Sequence, residues 1–146
     1  MLIAAVQPTT ALALDDNVQL LIGGSNEGFT PLTIFTAPGL TTAVVANSPG
    51  LGLGESAAQI RMVAGTLGKF RASVVPSGEA NSGTVTLMVR VNGVDTELTC
   101  SVAVAGGECG SGGKTVTLLN GDRLSVRVVS TLNMGSFAYT YTMTYD

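Results

Sequence analysis

From Thr84 to Val102 apolar and polar residues largely alternate, and the alternation is interrupted once, at Asn92-Gly93. A period of two sends successive side chains to opposite faces of a β-strand. Asn-Gly is a favoured centre for a type I′ turn, because both central residues of that turn need positive φ. The stretch "MVRVNGVDTELTC" therefore predicts a tight hairpin. Counting outward from the turn pairs Val91 with Val94, Arg90 with Asp95, Val89 with Thr96, Met88 with Glu97, Leu87 with Leu98, Thr86 with Thr99 and Val85 with Cys100. The face carrying Val91/Val94, Val89/Thr96, Leu87/Leu98 and Val85/Cys100 is expected to enter a core. The other face is wetter, and its Arg90/Asp95 cross-strand pair contributes roughly 0.2–1 kcal/mol. A one-residue slip would bury Arg90 and Glu97, so the pattern fixes the register.

The rest of the second half reads the same way. "SAAQIRMV", "TLGKFRASVV", "KTVTLL", "RLSVRVVS" and "SFAYTYTMTYD" are strand-like, separated by turn signals at Ala64-Gly65, Pro76-Ser77-Gly78 and Asn120-Gly121-Asp122. No segment of useful length carries helical periodicity. Six or seven short strands spaced in this way predict an all-β sandwich or barrel. In the last strand Phe137, Tyr139, Tyr141, Met143 and Tyr145 share one face, and all three tyrosines of the chain are there. That face either fills the core with hydroxyls reaching its rim, or presents Tyr139, Tyr141 and Tyr145 as a subunit interface, where tyrosine is enriched.

Charge divides the chain. Residues 1–54 hold Asp15, Asp16 and Glu27 and no Lys or Arg, whereas residues 55–146 hold seven acidic and seven basic residues. The first part also carries Pro8, Pro31, Pro38, Pro49 and the stretch "NSPGLGLG", with short strands expected at "VQLLI" and "LTIF". It reads as an extended N-terminal arm, residues 1–54, ahead of a β-sandwich domain, residues 55–146. The arm is too apolar to stay disordered in water. Leu2, Ile3, Val6, Leu12, Leu14, Val18, Leu20, Leu21 and Ile22 need cover. Either they supply strands to the same core, or they are enclosed by neighbouring subunits. "MLIAAVQPTTALALDD" imitates a secretory signal with Ala11-Leu12-Ala13 as its small-x-small site. It lacks a positive start, and Gln7-Pro8-Thr9-Thr10 interrupts the apolar run, so it is not read as one.

Composition narrows the chemistry. Among 146 residues the formal net charge is −3, charged residues are 12% and histidine is absent. A nucleic-acid partner would need a basic face, and no apolar run reaches the 18 or so residues of a membrane span. Without histidine, imidazole-based triads and most metal sites are excluded. The carboxylates are scattered, with Glu55, Glu79, Asp95 and Glu97 near turns or on wet faces. No enzyme, metal or cofactor is expected. "GGECGSGGKT" imitates a phosphate-binding loop, but Gly113-Lys114-Thr115 would require glycine at 108, where Glu108 stands. A strand-like "VTLLNGD" follows in place of a helix N-terminus, so the segment reads as a flexible loop carrying Cys109. Cys100 points inward and Cys109 lies nine positions on, past Gly106-Gly107. A disulfide closing that loop would contribute roughly 2.5–3 kcal/mol; the alternative is two buried free thiols.

With the strands placed, "TVTLMVRVNGVDTELTCSV", the second cysteine, "VTLLNGDRLSVRVV" and "FAYTYTMTY" resemble a β-sandwich (jelly-roll) module of bacterial and phage surface and virion proteins. The Asn120-Gly121-Asp122 turn with an aromatic last strand is also similar to the trimerising jelly rolls of the C1q and tumour-necrosis-factor type. The resemblance covers roughly residues 64–145, though no Gly-X-Y repeat precedes them as in the collagen-linked members. It implies a compact, commonly trimeric jelly roll used for display, attachment or reinforcement. The first functional expectation is a capsid decoration (cement) protein on the exterior of a bacteriophage virion. It would be a homotrimer whose arm binds the major capsid protein or neighbouring subunits. The second is a carbohydrate- or receptor-binding module of a fibre or cell surface, acting through loops around Pro76–Ser82 or Gly106–Gly113. A weaker third is a major shell subunit or an enzyme-associated accessory domain.

Overall fold

The computed structural model describes residues 19–28, 32–38, 44–45, 55–77, 82–131 and 136–146. In chain order these form β1 (Gln19–Gly28), β2 (Leu32–Thr36), β3 (Val44–Val45), a 3₁₀ turn (Glu55–Ala58), β4 (Ile60–Arg61), β5 (Gly65–Ser77) and β6 (Thr84–Val91). Then come β7 (Val94–Ala103), β8 (Gly107–Gly110), β9 (Thr115–Leu118), β10 (Arg123–Ser130) and β11 (Ser136–Tyr145). The fold is an all-β sandwich of two antiparallel sheets. One runs β1-β11-β5-β8, with β9 also on β5; the other runs β3-β2-β10-β6-β7, with β4 on β10.

The order has a simple origin. The hairpin β6–β7 has its tip at Asn92 (φ 53) and Gly93 (φ 79), the two positive φ values a type I′ turn requires. Behind that tip, β5 pairs with β8 and β9, β2 with β10, and β1 with β11. The chain is thus one long antiparallel ribbon, and the ribbon rolls over so that β10 also pairs with β6 and β11 with β5. This is the jelly-roll arrangement.

The rolled ribbon buries one continuous core. Leu67, Phe70, Val74, Val85, Leu87, Val89, Leu98, Leu118, Leu124, Val126 and Val128 face inward from both sheets, together with Phe137, Tyr139, Tyr141 and Met143 from β11. The tyrosine stripe is therefore spent inside the protomer. Tyr139 and Tyr141 are each 1% exposed, so neither can form the alternative subunit interface, because a side chain already enclosed cannot meet another chain. Burial pushes the Tyr141 phenol well above its ordinary pKa. Tyr145, at the sandwich end, is half-buried and donates its hydroxyl to the backbone oxygen of Val63 (3.1 Å).

Several expectations are corrected. The hairpin register holds at Val91↔Val94 and Arg90↔Asp95 and then jumps, so that Met88 meets Thr99, Leu87 meets Cys100, Thr86 meets Ser101 and Val85 meets Val102. Two extra residues on β7 make a bulge. It is pinned by Thr96, whose hydroxyl donates to the Val89 oxygen (2.8 Å) and accepts from the Leu98 amide (3.2 Å). A two-residue insertion preserves side-chain parity, so Leu98, Cys100 and Val102 still point inward. Val94, expected in the core, is 68% exposed at the ribbon tip. "SAAQIRMV" is not one strand; Glu55–Ala58 is a 3₁₀ turn and only Ile60–Arg61 joins β10. The glycine-rich segment around Cys109 is not a loop throughout, because Gly107–Gly110 is a strand paired with β5.

The division at residue 54 also gives way in part. β1 is an edge strand of the first sheet, and β2 belongs to the second with Ile34 fully buried. β1 and β2 thus supply strands to the chain's own sandwich, the alternative reading of that part of the arm.

Candidate functional site

Leu20, Leu21 and Ile22 lie in β1, opposite Thr144, Met143 and Thr142 of β11. Leu21 packs on the core. Leu2, Ile3, Val6, Leu12, Leu14 and Val18 lie outside the described residues. The point at which residues 1–18 join the sandwich is nevertheless defined. Gln19 is opposite Tyr145, whose hydroxyl reaches the backbone of Val63 and Ala64.

That end of the sandwich is built from turns tied to one another. The Ala64 amide donates to Asn120 Oδ1 (2.9 Å) and Gly121 N to the Met62 oxygen (2.9 Å). Asp122 accepts from the Leu119 amide and from Asn92 Nδ2, both at 2.8 Å, while Asn92 Oδ1 accepts from the Arg123 amide at 3.0 Å. The side chain of Asp122 thus closes its own turn and locks it to the hairpin tip. The same turns hold Val63 (66% exposed), Leu119 (68%) and Val94 in solvent.

The Leu119 amide and then the Asn92 side chain hold the Asp122 carboxyl below the ordinary carboxylate range. A depressed folded-state pKa contributes stability above the ordinary value, and the contribution is lost as pH falls through the depressed one. The melting-temperature gap between wild type and Asp122→Ala is expected to be widest at neutral pH and to narrow as the pH falls below the ordinary carboxylate range. A gap independent of pH would show that the charge on Asp122 plays no part.

A second polar cluster lies on the outer face of the second sheet. Arg90 Nε donates to Glu55 Oε1 (2.8 Å), as does Ser125 Oγ (2.6 Å). Arg90 also pairs with Asp95, and Arg127 pairs with the other oxygen of Asp95. The Arg90 guanidinium lies 5.6 Å from the Phe35 ring centroid, a cation–π distance. Burial opposes the charge on Arg90, but Glu55 and Asp95 outweigh it and push the pKa up. Here two of the scattered carboxylates, Glu55 and Asp95, come together, and both are spent on arginines. Glu97 is exposed, and Glu79 lies outside the described residues. No metal-binding group of Cys, Asp and Glu occurs among the described residues. The arrangement braces the sheet and offers no free acid–base pair.

Cys100 and Cys109 form a disulfide with Cα atoms 5.6 Å apart. It ties β7 of one sheet to β8 of the other. Sequence reasoning left Glu55 as one carboxylate among several, because its partners lie 35 and 70 residues away.

No protein-family model matches the chain, and no curated protein matches it. Among solved structures the chain is similar to one in the empty virus-like particle of cowpea mosaic virus, studied by electron cryo-microscopy. The two share 10% identity with a TM-score of 0.45, over 92% of this chain and 83% of that one.

Proposed function

We propose that this chain is a structural protein of a virion, a decoration (cement) protein on the capsid exterior of a bacteriophage. It would act as a homotrimer through residues 1–18, enclosed by the major capsid protein or by neighbouring subunits. The observation that carries the reading is one of place. Residues 1–18 are apolar and free of Lys and Arg, and they precede a strand that starts at the end bearing exposed Val63 and Leu119. An apolar segment gains most when another polypeptide covers it, at roughly 1.5–3 kcal/mol per fully buried aliphatic side chain, and linked copies compound the effect. A rolled ribbon braced by a disulfide and an ion-pair network supplies the stiffness such a role requires.

The test is co-sedimentation with empty shells. Deletion of residues 1–18 keeps every described strand, so the shortened chain is expected to retain its circular dichroism and most of its melting temperature. Its shell binding should fall at least about tenfold. The full chain carrying Leu12→Asp and Leu14→Asp should behave likewise. Undiminished binding by both would overturn the proposal, and native mass measurement decides the trimer. The second reading, a carbohydrate-binding module, is favoured by one observation: a cavity that includes part of the segment 106–113.

A further inference from the structure

The outer face of the first sheet is hollowed by a cavity of about 620 Å³. β5 contributes Lys69, Arg71 and Ser73, β11 contributes Thr140 and Thr142, and β8 contributes Glu108. Its shape comes from how β5 is paired. β9 takes residues 65–68 of β5 and β8 takes residues 71–74, leaving Lys69 and Phe70 at the gap between them. On the opposite edge the register with β11 jumps between Thr142 and Thr144, a bulge at the same place. Lys69 adopts φ 48 there, while the Ser111 amide holds the Phe70 oxygen at 3.0 Å. A side-chain-bearing residue in the left-handed region costs energy, and bulges re-aim side chains beside sites. The rim is kept low by Gly110, where a Cβ would come within 3.2 Å of the Phe70 oxygen.

On the opposite sheet Arg90 and Arg127 are neutralised by Glu55 and Asp95; Lys69 and Arg71, like Arg61 and Arg123 at the end of that sheet, are exposed and in no ion pair among the described residues, but only Lys69 and Arg71 line the cavity. The floor between them offers the hydroxyls of Ser73, Thr140 and Thr142. Phe70 and Tyr141 touch the cavity but are each 1% exposed, so no aromatic face is presented for a neutral sugar ring to stack on. A ligand held here must be gripped by charge and hydrogen bonds. The volume falls within the range of small-molecule sites, roughly 300–1,000 Å³, and is far larger than a bare oxyanion fills.

We infer that this cavity binds an acidic saccharide. Lys69 and Arg71 hold its carboxylate, while Ser73, Thr140, Thr142 and Glu108 engage its ring hydroxyls. Arginine matches a carboxylate with two parallel hydrogen bonds, and Glu108 can only accept, which suits a hydroxyl and repels a second acid group. The inference rests on the second, carbohydrate-binding reading and deepens it by naming an acidic ligand; it is independent of the shell-binding reading and of residues 1–18.

The test titrates a glucuronic acid–glucose disaccharide into the ¹⁵N-labelled full chain, with cellobiose and inorganic phosphate as separate probes. The acidic disaccharide should shift amides of residues 69–73, 108–112 and 140–142, with millimolar affinity that weakens as salt is added. Cellobiose should leave them in place. Lys69→Gln with Arg71→Gln should weaken binding at least about tenfold with the melting temperature held. Phosphate binding as tight as the disaccharide would overturn the saccharide assignment. So would equal shifts with cellobiose, unchanged binding by the double variant, or no shifts in this region.

Discussion

Glu55→Ala is expected to lower the unfolding free energy by about 3 kcal/mol, near the lower end of the cost of breaking one partner out of a buried ion pair. The side chains of Glu55 and Arg90 are only 16% and 13% exposed, so water does little to screen their attraction or to replace it. Ser125 is fully buried and gives its hydroxyl to the same carboxylate oxygen, so the substitution also orphans a buried donor at about 1 kcal/mol or more. Arg90 keeps Asp95, which is more exposed at 38% and is shared with Arg127, and this limits the loss. In a chain of this size, 3 kcal/mol corresponds to a melting-temperature drop of roughly 6–12 °C. Glu55→Gln retains an acceptor for Ser125 and should cost about half as much, while Glu97→Ala on the exposed face should stay within about 0.5 kcal/mol. If Glu55→Ala proved as mild as Glu97→Ala in urea unfolding, the 3₁₀ turn would not be bracing the second sheet.

Cys109→Ala is expected to cost about 3 kcal/mol, the loop-entropy value for a bridge closing some ten residues. The arrangement adds to the effect, since the bond joins β7 to β8 across the two sheets and β8 is a four-residue strand of Gly107, Glu108, Cys109 and Gly110. Such a sequence has little intrinsic preference for a strand; pairing with β5 and the covalent tie hold it in place. Wild type unfolded in the presence of a thiol reductant should lose the same stability, and Cys109→Ala should then be indifferent to reductant. A reductant effect of equal size in both proteins would exclude the bridge as its source. If the proposed virion role holds and the chain is made in a reducing cytoplasm, the bond is expected to form after release from the cell. Thiol titration of mature particles checks this.

What the sequence made legible was whatever rests on near neighbours. Asn92-Gly93 announced the ribbon tip, and alternation assigned Leu87, Val89, Leu98 and Cys100 to the inner face. The bulge escaped because nothing in the pattern distinguishes a two-residue insertion, which keeps parity; its agent is the Thr96 hydroxyl competing for the Val89 oxygen. Gly107–Gly110 looked like a loop by composition and became a strand because β5 offered it a free edge. β1 and β2 looked like parts of an arm because the region is short of charge and rich in proline. Their membership of the sandwich depends on partners about one hundred residues away, Gln19 with Tyr145 and Ile34 with Val128. The cavity was hidden for the same reason: Lys69 and Arg71 are ordinary solvent-facing residues until two separate strands leave a gap beside them.

The antiparallel match of β1 to β11 also has a mechanical consequence. Because Gln19 sits opposite Tyr145 and Gly28 opposite Ser136, the start of β1 and the end of β11 lie side by side. A force drawing those two points apart would open the ladder like a zip, one register pair at a time and at low load. A force that drags Gln19 lengthwise against the far end of the body would stress all ten register pairs together. Any load that reaches the chain at Gln19 is therefore resisted strongly along the axis of β1 and weakly against sideways peeling.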